Sequence, residues 1–146
     1  MLCFVLLYTL FAQGCSSTSG EQPKEPANTG FHFKDKLSDY GFFAGDLKQL
    51  KPQAALFHYE LATPLFTDYA AKDRFILLPK GQAAKYSGAG LPEFPDSTII
   101  IKNFAYINEQ HEKVMIETRM LVKDPADHKW KVMDYLWNQE QTDAVK

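Results

Sequence analysis

Three strand-length runs near the C-terminus constrain this chain most. Residues 98–106, 114–123 and 130–137 are rich in β-branched and aromatic side chains, and polar loops of about six residues separate them. In the middle run Val114, Ile116, Thr118, Met120 and Val122 share one side, and Met115, Glu117, Arg119, Leu121 and Lys123 share the other. A helix would interleave those two sets; a strand separates them, because successive side chains point to opposite faces. Asp124-Pro125 then interrupts the ladder, since proline has no N–H to donate. The three runs predict an antiparallel meander.

Upstream the pattern is shorter and less regular. Phe57, Tyr59 and Leu61 alternate with His58 and Glu60, the signature of a half-buried strand that Thr63-Pro64 interrupts. Residues 74–78 form a compact apolar run closed by the turn Pro79-Lys80-Gly81, and residues 87–96 are loop by composition. Residues 36–40 read as a helical turn stopped by Gly41, and Asp46 stands where it could cap a second turn over residues 47–50. Neither turn is long enough to persist without packing. Eleven Phe, seven Tyr and two Trp add weight to sheet. The expected fold is mainly β: an antiparallel β-sandwich or partly open barrel with a few short helices.

The first fifteen residues belong to a different regime. Residues 2–11 are almost wholly apolar, yet the run falls well short of the roughly 20 residues a spanning helix needs. It matches the apolar region of an export signal. It ends in Ala12-Gln13-Gly14-Cys15, which resembles a bacterial lipobox, although Ala12 stands where Leu is preferred and no Lys or Arg comes before Lys24. A start codon placed too late would account for the missing charge. The resemblance implies that Cys15 is acylated and becomes the new N-terminus. One acyl chain holds a membrane only marginally and two or more hold it stably, so such a terminus would be a lasting anchor. Ser16 is not the aspartate associated with inner-membrane retention, which points to the outer membrane. Residues 16–30 are rich in Ser, Thr, Gly and Pro with nothing apolar larger than Ala27, so they cannot bury enough surface to offset ordering. The expected organisation is a signal peptide over 1–15, a flexible tether over 16–30, and one β-rich domain over 31–146 that faces the periplasm or the cell surface.

Several function classes fall away. A net charge of −2, a pI near 6.1 and the lack of any long basic run exclude the electrostatic footprint of a nucleic-acid binder. Cys3 and Cys15 are the only cysteines, so residues 31–146 can hold no disulfide, no thiolate zinc site and no haem attached through Cys-x-x-Cys-His. No cofactor is expected in this chain. His32, His58, His111 and His128 offer no i, i+2 or i, i+4 pair, and no nucleophile-elbow, zincin or phosphate-loop pattern occurs.

What could carry chemistry is a charged cluster. Glu117 and Arg119 lie two apart on one strand and must share a face. The segment Thr67-Asp68-Tyr69-Ala70-Ala71-Lys72-Asp73-Arg74 supplies Asp68 and Arg74 beside bulky aromatics. If the two segments meet, Asp68, Arg74, Glu117 and Arg119 form a polar cluster, either a ligand site or a structural ion-pair network. Tyr135 and Trp137 share a face of the last run, opposite to Trp130, and with Asn138 complete the candidate binding residues.

Several phrases, in order, resemble a known family: Lys36-Leu37-Ser38-Asp39-Tyr40-Gly41-Phe42-Phe43, Thr63-Pro64-Leu65-Phe66-Thr67-Asp68-Tyr69-Ala70, Arg74-Phe75, Ile116-Glu117-Thr118-Arg119-Met120-Leu121 and Leu136-Trp137-Asn138-Gln139-Glu140-Gln141-Thr142-Asp143-Ala144. Together they are similar to the N-terminal region of exported bacterial proteins that include diheme c-type cytochromes and proteins of unknown function. The resemblance implies a following segment with Cys-x-x-Cys-His. That motif is absent here, so no haem ligand is carried over. The expectation is then either a truncated or split gene, or a β domain kept without its cytochrome part. The resulting functional expectation is a membrane-tethered lipoprotein acting as an accessory or interaction domain of a c-type cytochrome system, with a haem protein or downstream cytochrome domain as partner. A stand-alone envelope lipoprotein that binds a glycan or another envelope ligand, with Tyr135 and Trp137 lining a groove, is the alternative. A carboxylate-dependent hydrolase built on Asp68 and Glu117 is a further one, with nothing in the sequence advertising an enzyme.

Overall fold

The computed structural model describes residues 30–63, 65, 66 and 69–146. The expected leader, Cys15 and the tether up to residue 29 lie outside the described residues, as does Asp68. The rest is one antiparallel sheet whose strands follow chain order: β1 (Leu56–His58), β2 (Ala71–Leu77), β3 (Ile99–Ile107), β4 (Lys113–Lys123), β5 (Trp130–Trp137) and β6 (Ala144–Val145). Each strand pairs with the next, and β1 and β6 stay at opposite edges, so the sheet does not close. The fold is mainly β, and the expected meander is present as β3, β4 and β5. Strand β6, only two residues long, was not visible as a pattern.

One face of this sheet is the core. Register stacks Phe75, Ile101, Met120 and Met133 in one row and Leu77, Ile99, Val122 and Lys131 in the next. The segment between Phe31 and Leu50 packs on that face through Leu37, Phe42, Phe43, Leu47 and Leu50. The Phe43 ring meets Phe75 edge-on at 5.1 Å, a favoured geometry because the positive ring edge faces the negative π surface. Burying a side chain of the size of Phe75 contributes about 1.5–3 kcal/mol.

The two helical turns are 3₁₀ turns, Ser38–Tyr40 and Leu47–Gln49. Gly41 ends the first with φ of 64°, its N–H donating to the Ser38 carbonyl at 3.1 Å, as its position suggested. Asp46 does not cap the second through its side chain; its main-chain oxygen accepts from the Gln49 N–H at 3.0 Å instead. Tertiary bonds hold both turns. The Leu37 N–H donates to the Ala144 carbonyl at 2.9 Å, and the Ser38 hydroxyl donates to the Asp143 carboxylate at 2.6 Å. The N-terminal segment is thereby stitched to the last edge of the sheet.

Two face assignments differ from the alternation. Met115, not Ile116, points into the core: Met115 is 2% exposed and Ile116 is 44% exposed. Phe104 pairs with Glu117 and Ala105 with Met115, so Ile116 is the extra residue of a β-bulge. A bulge inserts one residue and reverses the phase of everything beyond it. Likewise Leu56 is the buried member of β1, while Phe57 is 59% exposed opposite Ile76 on the other face. Leu56 and His58 take the inner side of β1, the His58 ring 5.1 Å from Phe75, and strand alternation turns Phe57 outward.

Candidate functional site

The other side of the sheet is open. Among the described residues no second layer covers its breadth, and side chains from all six strands form ordered rows. Phe57, Ile76, Ile100, Leu121 and Val132 make an unbroken apolar row across β1 to β5. Beside it Arg74, Lys102, Arg119 and Asp134 make a charged row, and Lys72, Phe104, Glu117, Leu136 and Val145 a mixed one. Both ends of the apolar row reach solvent, with Phe57 at 59% and Val132 at 51% exposure. Contiguous exposed apolar surface with a polar rim marks an interaction site more often than an idle surface.

Of the candidate residues, Arg74, Glu117 and Arg119 do share this outer face. The Arg119 guanidinium contacts Glu117 at 2.8 Å and Asp134 at 2.7 Å, and those carboxylates account for its charge. Its pKa is raised, first by the hydrogen bond to Asp134 and against the effect of burial, with Glu117 adding to it. Arg74 does not touch that pair, because Lys102 stands between them in the register. Its buried guanidinium meets Glu60 at 3.6 Å under the chain that leaves β1. Burial raises the nearby Tyr59 phenol, and the Arg74 charge opposes that rise.

Tyr135 and Trp137 lie on the opposite, inner side. Tyr135 is fully buried, its hydroxyl 2.9 Å from that of Tyr40 and donating to the Lys34 carbonyl at 2.9 Å. Burial, and then the bond to Tyr40, push its phenol far above its ordinary value. The Trp137 indole N–H donates to the Thr118 hydroxyl at 2.9 Å, and Thr118 donates to Asn103 Oδ1 at 2.6 Å. These rings hold the core and form no exposed sugar platform. Asn138 closes the turn between β5 and β6, accepting from the N–H of Thr142 at 2.9 Å.

The alternation of residues 98–106 did separate Ile100, Lys102 and Phe104 from Ile99, Ile101 and Asn103. Lys102 takes its meaning only from its register against Arg74 and Arg119. Lys72, one strand over and two residues before Arg74, joins the same corner. His58 contacts Glu60 at 3.4 Å and His128 contacts Asp96 at 2.6 Å, both at the surface.

The fold and this face define a class: a single-sheet antiparallel β domain with one covered side and one open side. No protein-family model, curated protein or solved structure matches the chain.

Proposed function

We propose that this chain is a lipid-tethered accessory domain of the cell envelope whose open sheet face docks on a protein partner. The partner is a c-type cytochrome of an exported electron-transfer system, and the outer membrane is the site of attachment. One observation carries the docking part: the apolar row Phe57, Ile76, Ile100, Leu121 and Val132 spans five strands and ends in solvent on both sides. The export signal ending at Cys15 supports the compartment, and the order of phrases from Lys36 to Ala144 supports the cytochrome. The role is binding rather than catalysis. The glycan reading loses its motivation because Tyr135 is sealed and Trp137 is tied to Thr118.

Docking of this kind should make the tagged full-length chain, purified in mild detergent from its native host, carry haem absorbance with it. Val132→Glu would place a charge at the β5 end of the apolar row and remove that absorbance while leaving the fold intact. Haem absent from the wild-type preparation, or retained by the variant, contradicts the proposal.

A further inference from the structure

One corner of the open face carries more positive charge than its surroundings balance. Arg74, Lys102 and Arg119 are direct cross-strand neighbours on β2, β3 and β4. Like charges placed opposite one another across strands destabilise a sheet. Arg119 is relieved by Glu117 and Asp134. Lys102 is not: among the described residues no carboxylate reaches it, and its ammonium lies 5.6 Å from the Phe104 ring centre. Lys72 donates to the Leu65 carbonyl at 2.9 Å and likewise has no carboxylate partner among the described residues. Among the described residues Arg74 has only Glu60 as a carboxylate partner, at 3.6 Å, and that carboxylate is largely exposed. Among the described residues three cations thus face one carboxylate, in a chain whose net charge is −2.

The same side chains line a cavity. Leu61, Leu65, Lys72, Arg74, Lys102 and Phe104 enclose about 130 Å³. A wider hollow of about 490 Å³ adjoins it and shares Leu65, Lys72 and Arg74. The cavity is open to solvent on the side of Leu61 and Leu65, which are 43% and 81% exposed. A planar guanidinium with two flexible ammonium groups suits a tetrahedral oxyanion, the first by forked hydrogen bonds and the others as point charges.

We infer that this corner binds a phosphate group, held by Lys72, Arg74 and Lys102 and flanked by Leu61, Leu65 and Phe104. Among the described residues the excess of two positive charges matches a phosphate monoester near its dianionic form. The inference rests on reading the outer face as a binding surface, and it names the chemistry that one corner of that face selects. The phosphate could belong to a small molecule or to a lipid headgroup.

The test is a titration of the isotope-labelled full-length chain in neutral detergent micelles, following the amide resonances of residues 72, 74 and 102. One arm adds inorganic phosphate at ionic strength fixed with sodium chloride. The other adds a short-chain phosphatidic acid, with the matching phosphatidylcholine as control. Saturable shifts at those residues, weakened at least tenfold by Lys102→Gln, are expected in at least one arm. Saturation with inorganic phosphate points to a small phosphorylated ligand, and saturation with phosphatidic acid alone points to a headgroup. No saturation in either arm, or the same affinity in Lys102→Gln, overturns the inference. Without phosphate, Lys102→Gln should raise the melting temperature by relieving repulsion in the row; a lower value would make Lys102 a structural residue and also overturn it. Val132→Glu should leave the phosphate shifts unchanged, so loss of partner docking and loss of anion binding are separable failures.

Discussion

The side-chain amide of Gln141 serves both backbone groups of Met115, accepting from its N–H at 2.6 Å and donating to its carbonyl at 3.0 Å. Met115 lies at the bulge of β4, where Ile116 is inserted and the regular ladder is interrupted. A buried N–H or carbonyl left without a partner costs about 1–3 kcal/mol. The turn between β5 and β6 therefore satisfies backbone groups at the bulge of β4.

Gln141→Ala should remove both bonds and destabilise the domain by about 2–4 kcal/mol, measured by urea unfolding. Ile116→Ala, in the same bulge but with an exposed side chain, should stay within about 0.5 kcal/mol of the parent. Similar losses for the two variants would contradict this account of the bulge.

Acid should loosen the joint between the N-terminal segment and the sheet. Asp124 has its carboxyl held below the ordinary range, chiefly by its bond from Lys131 and then by the Ala126 N–H, against the opposing effect of burial, with the Phe31 N–H assisting. At Asp143 burial acts to raise the carboxyl, and bonds from Ser38 and the Ala144 N–H outweigh it. A depressed folded pKa means stability that is complete above the unfolded value of about 3.9 and is lost as pH falls through the folded value. Urea midpoints should therefore fall steeply below about pH 4. Asp124→Asn should be less stable at neutral pH, and its gap from the parent should narrow as acid removes the same charge. A gap that stays constant from pH 7 to pH 2 would contradict the assignment.

The lipoprotein reading makes a statement about mass. The native chain should begin at Cys15, carry fatty-acyl mass, and fractionate with membranes, and Cys15→Ser should abolish the lipid. An intact mass that retains Met1 and shows no lipid would remove the compartment and the partner together.

Much of the fold was legible because period-two alternation is a local property. Residues 98–106, 114–123 and 130–137 announced β3, β4 and β5 within one or two residues. The failures were non-local. Ile116 obeys the alternation of its own run, and only its pairing across to Phe104 and Ala105 shows it to be surplus. Phe57 reads as a core residue until the pairing of Leu56 with Leu77 and of His58 with Phe75 is seen to take the inner side. At the candidate site, the pairing of Glu117 with Arg119 followed from their spacing, as expected for side chains two apart on a strand. Lys102 carried no signal of its own, because what singles it out is the company of two cations contributed by neighbouring strands. Tyr135 and Trp137 were placed together correctly, and it took the Tyr40 and Thr118 hydroxyls to turn a possible platform into part of the core.

The open face is the claim on which the functional account depends, and a photo-crosslinking amino acid at position 132 in living cells tests it most directly. Illumination should join the chain to a haem-bearing envelope protein, while the same group at Glu109, in the loop between β3 and β4, should not. Crosslinks from Glu109 alone, or none from position 132 in a folded and exported chain, would contradict the account.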